Sequence, residues 1–423
     1  MSTLAHKGLS EDWWSVILGL FLVVIVWLAY VLGRPLDFLQ HAIPQPWPQN
    51  PLLSNLASHW WEYLLLWASL LVLTGIAVRS LGGDLGRYIA GFTLLFLLAL
   101  IVLVVGSQQA LKKYGLEYPF WALVIGLVLG NVLQLPGWLR AASGRTELFI
   151  KTSIVLLGAN LPFSIVAKSG PKAFLEALLI VAAGFLVTFL VGSRLGVDPI
   201  YLSVIGAGAS VCGVSAAIAV GNTVRAKSRQ VGYVVSLVVL YGLVLIFVLP
   251  LLVRFLGLSQ TVGGAWIGGS ELADASGAAA AAILGEEAVK AFSLVKLSRD
   301  VLISVVCLLL GGIAVTRWSA EEQGGSAFSR LWARFPKFVL AFLVASLLST
   351  WWQGRYGQEF AADFTGNLNA ARTWLFTLTF LGIGLGTRFQ EMREVGGPAI
   401  RIFTVTVLAN VLIGGLLAVW LFS

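Results

Sequence analysis

The sequence predicts an all-α polytopic membrane protein with about 11–13 transmembrane segments, arranged as inverted repeats with two discontinuous or re-entrant segments. Three observations predict it. First, the 423 residues are 58% hydrophobic and only 11% charged, with a mean hydropathy of +0.90, whereas a soluble domain carries about 25% charge. Second, apolar runs of spanning length follow one another along the chain. Third, two of those runs are built from small residues that lipid alone would not hold.

The runs, in order, are 13–32, 60–78, 88–106, 118–135, 147–167, 173–195, 200–222, 231–255, 262–284, 297–318, 336–352, 373–389 and 398–422. Run 13–32 is long enough to span, which suits a membrane helix better than the apolar core of a cleavable signal. Between the first two runs lies a loop over 34–58 with Pro35, Pro44, Pro46, Pro48 and Pro51, a stretch expected to be non-helical. Of the 16 Trp, the pairs Trp13–Trp14, Trp60–Trp61 and Trp351–Trp352 fall at run ends, where interfacial aromatics gather. The formal net charge is +8, but the basic residues are scattered singly between apolar runs. They read as loop charges at a membrane surface and exclude a nucleic-acid face. Cys212 and Cys307 both lie inside apolar runs, so no disulfide framework or metal spacing is expected.

Run 200–222 contains VIGAGASVCGVSAAIAV, with Gly206, Gly208, Ser210, Cys212, Gly213 and Ser215 at its centre. Glycines let a helix break at mid-membrane, and the backbone groups so freed need a partner from protein, water or ligand. Run 262–284, VGGAWIGGSELADASGAAAAAIL, is weaker still and carries Glu271 and Asp274. Carboxylates inside a membrane pair, titrate or face a cavity. They are therefore expected to couple an ion, a proton or sodium; the structural alternative is that one caps a half-helix starting near Ser270. Ser210, Ser215, Ser270 and Ser276 offer hydroxyls, and the glycines around them expose N–H groups, a combination suited to a small oxyanion. Asn160, mid-run, either bonds across helices or faces the cavity. Lys227, Arg229, Lys296 and Arg299 follow the weak runs closely and read as basic turns at the membrane surface. No His or base neighbours the serines, and no GxxxxGK[ST] run occurs, so neither an enzyme nor an ATP-driven pump is expected.

The chain also repeats itself. LLGANL followed by GPKA resembles LGIGL followed by GGPA, and Tyr118-Pro119-Phe120-Trp121 resembles Phe335-Pro336-Lys337-Phe338. Ser210-Val-Cys-Gly-Val-Ser215-Ala-Ala parallels Ser270-Glu-Leu-Ala-Asp-Ala-Ser276-Gly-Ala. The spacing of the copies makes them inverted, the pattern of a secondary transporter with its site at the repeat interface. The expected division is 1–117 as extra N-terminal spans with the Pro-rich loop, 118–256 as the first repeat and 257–423 as the second. With the two weak segments re-entrant, the Lys and Arg excess places the N-terminus in the cytoplasm of a bacterium, the protein being multi-pass in the inner membrane.

GASVCGVSAAIAV with AKSRQ, GAWIGGSELADASGAAAAAILGEEA, VKLSRDVLI and FLGIGLGTRF…GGPA, in this order, resemble the YeiH-type sulfate exporter family over residues 118–423. That family is distantly similar to the bile-acid/sodium symporter group, in which two five-helix inverted repeats surround broken, crossing helices. The resemblance implies a carrier of sulfate, sulfite or a sulfonate, with Gly208-Ala209-Ser210-Val211-Cys212-Gly213 and Gly269-Ser270…Asp274…Ser276 as its site; the residues themselves add Ser215 and Asn160 toward the substrate and Asp274 and Glu271 as ion-coupling groups. A sodium-coupled organic-anion symporter is the alternative it implies. Many members carry a His-Glu pair after the glycine-serine of the second motif; Leu272 and Ala273 stand there here, with Asp274 next. The longer N-terminal region is expected to form an oligomer contact, as in a homodimer. No cofactor is implied.

Overall fold

The computed structural model describes residues 9–47, 56–113, 118–160, 163–317, 336–387 and 397–423. Its helices are α1 Glu11–Val31, α2 Phe38–His41, α3 Trp60–Ser80, α4 Leu85–Gly106, α5 Gln109–Lys113, α6 Tyr118–Val132, α7 Gly137–Ser143, α8 Thr146–Asn160, α9 Phe163–Arg194, α10 Pro199–Ser210, α11 Val214–Thr223, α12 Ser228–Phe255, α13 Gln260–Ser270, α14 Asp274–Leu284, α15 Glu286–Arg317, α16 Lys337–Gly386 and α17 Pro398–Phe422. Among the described residues, seven helices are long and apolar enough to cross a membrane, and α6, α10, α11 and α14 are shorter apolar helices. The protein is thus an all-α, multi-pass membrane protein.

Start signals sit where short polar side chains precede apolar runs. Ser10 accepts from the Trp13 N–H, Asp84 from the Arg87 N–H at 3.1 Å, and Ser259 from the Val262 N–H. Each satisfies one of the amides a helix start leaves without a carbonyl. Three boundaries depart from the sequence expectation. The Pro-rich loop is not wholly irregular, because Phe38–His41 makes one helical turn between its prolines. Pro171 does not begin a helix but lies inside α9. It falls in a mostly exposed polar stretch, 167–172, where solvent can take the carbonyl it strands. Pro398, in the matching motif, does open its helix at the first turn. Finally, the polar stretch between runs 336–352 and 373–389 is helical, so that α16 spans both and turns at Gly357, whose φ of 84° only glycine adopts freely.

By internal contacts the chain forms two units, and each draws on both predicted repeats. One comprises Met1–Phe163 with Lys337–Arg388, the other Ser164–Pro336 with Phe389–Ser423. In the first, α16 is the central element. Gly126 and Gly130 on α6 face Gly384 and Leu385 so closely that a Cβ on either glycine would lie 2.8 Å from a backbone oxygen. Small residues at such crossings let backbones meet where no hydrophobic force separates helix from lipid. Trp374 stacks on Phe96 at 4.4 Å and donates its indole N–H to the Ala42 oxygen, while Trp27 stacks on Trp352 at 4.7 Å. The second unit holds the two interrupted runs, flanked by α9, α12, α15 and α17.

Candidate functional site

Runs 200–222 and 262–284 are each a pair of helices separated by three residues. Val211-Cys212-Gly213 parts α10 from α11, and Glu271-Leu272-Ala273 parts α13 from α14. Val211 leaves the helical region at φ −105°, ψ −94°, and Gly213 stands at a positive φ of 62°. A side chain on Gly213 would be strained by that φ and would stand 2.8 Å from the Leu272 oxygen. The two breaks therefore touch. At their meeting point two helix C-termini, at Ser210 and Ser270, and two N-termini, at Val214 and Asp274, come together.

The C-terminal carbonyls are satisfied by two cations from one helix. On α15, Lys296 and Arg299 are 1% and 0% exposed. Arg299 donates from Nε to the Ser210 oxygen at 3.2 Å and from Nη1 to the Gly268 and Glu271 oxygens at 2.8 Å each. Lys296 Nζ donates to the Val211 oxygen at 3.3 Å and the Leu272 oxygen at 3.0 Å, and lies 3.6 Å from Asp274 Oδ1. This corrects the reading of Lys296 and Arg299 as surface turn charges. The KLSR stretch is mid-helix, and its spacing of three places both cations on one face of α15. Lys227 does lie exposed, at the start of α12, while the side chain of Arg229 is outside the described residues.

The predicted site residues divide by position. Ser210 and Ser270 end α10 and α13, so they sit at carbonyl ends and not at N–H ends. Both are fully buried and occupied by Asn410 of α17: its Nδ2 donates to Ser210 Oγ at 3.2 Å and to the Ala209 oxygen at 2.9 Å, and Ser270 Oγ donates to its backbone oxygen at 3.3 Å. Ser215, by contrast, is exposed in the first turn of α11. Ser276 lies in the first turn of α14, and its hydroxyl bonds Glu271 Oε1 and the Ala273 oxygen. Gly208 packs on Val234 of α12, and Cys212 sits in the break, 9% exposed. Asp274 opens α14 but caps nothing with its side chain; the preceding Ala273 is the N-cap. Glu271 lies in the break, fully buried, with Oε2 free of any hydrogen bond. Asn160 belongs to the other unit, where its amide donates to Asn369 Oδ1 at 2.7 Å.

Sequence reasoning missed Glu176 and Asn410. Glu176 is 0% exposed on α9, and neither carboxylate oxygen has a hydrogen-bond partner. Its Oε1 lies against Gly269 of α13, and Arg299 is the cation within its electrostatic reach. The signal was a lone Glu in the apolar run AFLEALLIVAAGF; Asn410 stands as singly in run 398–422.

Comparison with known proteins places the chain in a family. Residues 90–402 match the family described as "Conserved hypothetical protein 698". The UPF0324 membrane protein RB9488 of Rhodopirellula baltica is 33% identical over 357 residues, 83% of this chain and 65% of that protein. A UPF0324 membrane protein of Nitratidesulfovibrio vulgaris is 31% identical over 352 residues, 80% of this chain and 60% of that protein. UPF0324 membrane protein NE0724 of Nitrosomonas europaea is 29% identical over an alignment of 452 residues, 92% of this chain and 91% of that protein. The chain thus spans less than two thirds of the first two relatives and nearly all of the third. No solved structure matches. With three quarters of its length inside the family match, the chain belongs to the conserved hypothetical protein 698 family, that of the UPF0324 membrane proteins.

Proposed function

We propose that this protein is a secondary transporter, and not an enzyme, that moves a small oxyanion such as sulfate, sulfite or a sulfonate by alternating access, as an exporter. One observation carries the reading: two helices broken at mid-run meet at their breaks inside one unit, with two buried cations between them. Membrane carriers use broken helices in this way, because half-helix ends supply fixed partial charges where lipid offers none. The N-terminal turns of α11 and α14 supply N–H donors for the anion, joined by the exposed Ser215 hydroxyl and by Ser276. Glu271 and Asp274 are the coupling groups in this reading, with a proton as the coupling ion.

The test is counterflow. Purified full-length protein in proteoliposomes loaded with unlabelled sulfate is expected to accumulate labelled sulfate transiently. Ser276→Ala and Asp274→Asn should each reduce the initial rate at least about tenfold, the equivalent of losing one hydrogen bond to a charged group. Uptake that neither saturates nor shows counterflow would mean a channel. Counterflow with organic anions alone would favour the symporter-type substrate class.

A further inference from the structure

The way Lys296 and Arg299 are used bears on what drives this carrier, and the argument rests on the transporter reading above. A helix C-terminus carries a partial negative charge and leaves carbonyls without intrahelical donors. Inside a membrane those carbonyls have no water to turn to. Transporters with broken helices resolve this by binding a coupling cation on them. Here the converging ends of α10 and α13 present the oxygens of Ser210, Val211, Gly268, Glu271 and Leu272, with the Asp274 carboxylate beside them. Carbonyls with one carboxylate are the ligand set of a small hard cation. Every one of them already faces a nitrogen of Lys296 or Arg299. The Lys296 ammonium donates to two of the carbonyls and forms an ion pair with Asp274 Oδ1 at 3.6 Å. Both side chains come from adjacent turns of α15, so the charge is tethered and cannot leave with the substrate.

We propose that Lys296 and Arg299 replace a coupling cation, so that this carrier binds its anion without sodium. Truncating Lys296 then uncovers a monovalent-cation site made of the Val211 and Leu272 oxygens and the Asp274 carboxylate.

The experiment is thermal unfolding of the full-length protein in detergent, in choline chloride and in sodium chloride at equal ionic strength, first with no anion ligand and then with sulfate. Wild type is expected to melt at the same temperature in both salts. Lys296→Ala should melt lower in choline and recover in sodium, because a ion that binds only the folded state stabilises it. Lys296→Ser, which leaves these oxygens uncovered and adds a hydroxyl oxygen that can itself ligate an ion, is the second variant should the alanine protein not fold, and the same recovery is expected. Sodium-specific stabilisation of wild type would overturn the proposal. So would a variant destabilised equally in both salts. The sodium arm needs no substrate, so it is read even if sulfate does not bind, a result that would count against the oxyanion reading alone. Sulfate stabilisation of wild type that requires sodium would preserve the carrier and overturn this inference.

Discussion

At the scale of single residues, the second unit holds two kinds of buried charge. Arg299 is engaged by three carbonyls, whereas Glu176 is engaged by none. Removing a buried charged partner costs about 3–5 kcal/mol, because the groups left behind are neither solvated nor paired. Arg299→Met should therefore lower the melting temperature sharply or abolish a monodisperse peak in size-exclusion chromatography. Glu176→Gln breaks no hydrogen bond and replaces a carboxyl whose ionised form burial opposes. It should melt at or above the wild-type temperature. A fall of several degrees would show that Glu176 has a stabilising partner that outweighs its burial. The cation pair was spelled out in KLSR, yet a one-dimensional reading could not separate a basic turn from a helical face aimed inward. Burial is a property of what lies opposite, and α10 and α13 lie far away in sequence.

Elements behave differently from residues, because many of these helices owe their position to small-residue contacts. In α16, Gly384 meets the Gly126 backbone at 2.7 Å from where a Cβ would stand, while a Cβ on Gly386 meets nothing within 4 Å. Gly384→Leu should drive α6 from α16 and unfold the first unit. Gly386→Ala should be tolerated and gain slightly, since Ala has the higher helix propensity by about 1 kcal/mol. Parallel expression and melting curves check both, and equal behaviour of the two variants would refute the packing account. The breaks in α10–α11 and α13–α14 were readable from glycine, serine and carboxylate content within otherwise apolar runs. The continuous helix through Pro171 was not, since the same Gly-Pro signal starts α17. The difference lies in the residue before the proline: Gly397 stands at φ 96°, outside the helical region, so a helix begins at Pro398, whereas Gly170 lies inside α9.

For the whole molecule, membrane residence followed from composition alone, and the relatives named as membrane proteins agree with it. Orientation is predicted by the Lys and Arg distribution, which places the N-terminus in the cytoplasm. Reporter fusions at the two termini check this: a reporter active only outside the membrane should be silent on the N-terminus and active on the C-terminus. The reverse pattern would place the N-terminus outside and overturn this orientation.

By itself the sequence determined the helical class, the membrane setting, most of the spans and the places where two of them break. All of these depend on local quantities, namely hydropathy, run length and the freedom of glycine. Only the tertiary structure decided that the two breaks touch, that Ser210 and Ser270 face Asn410, and that Lys296 and Arg299 fill the carbonyl ends between them. Those facts depend on which helices meet, and Ser210 and Arg299 are brought together by packing across a long stretch of chain that local sequence signals do not encode.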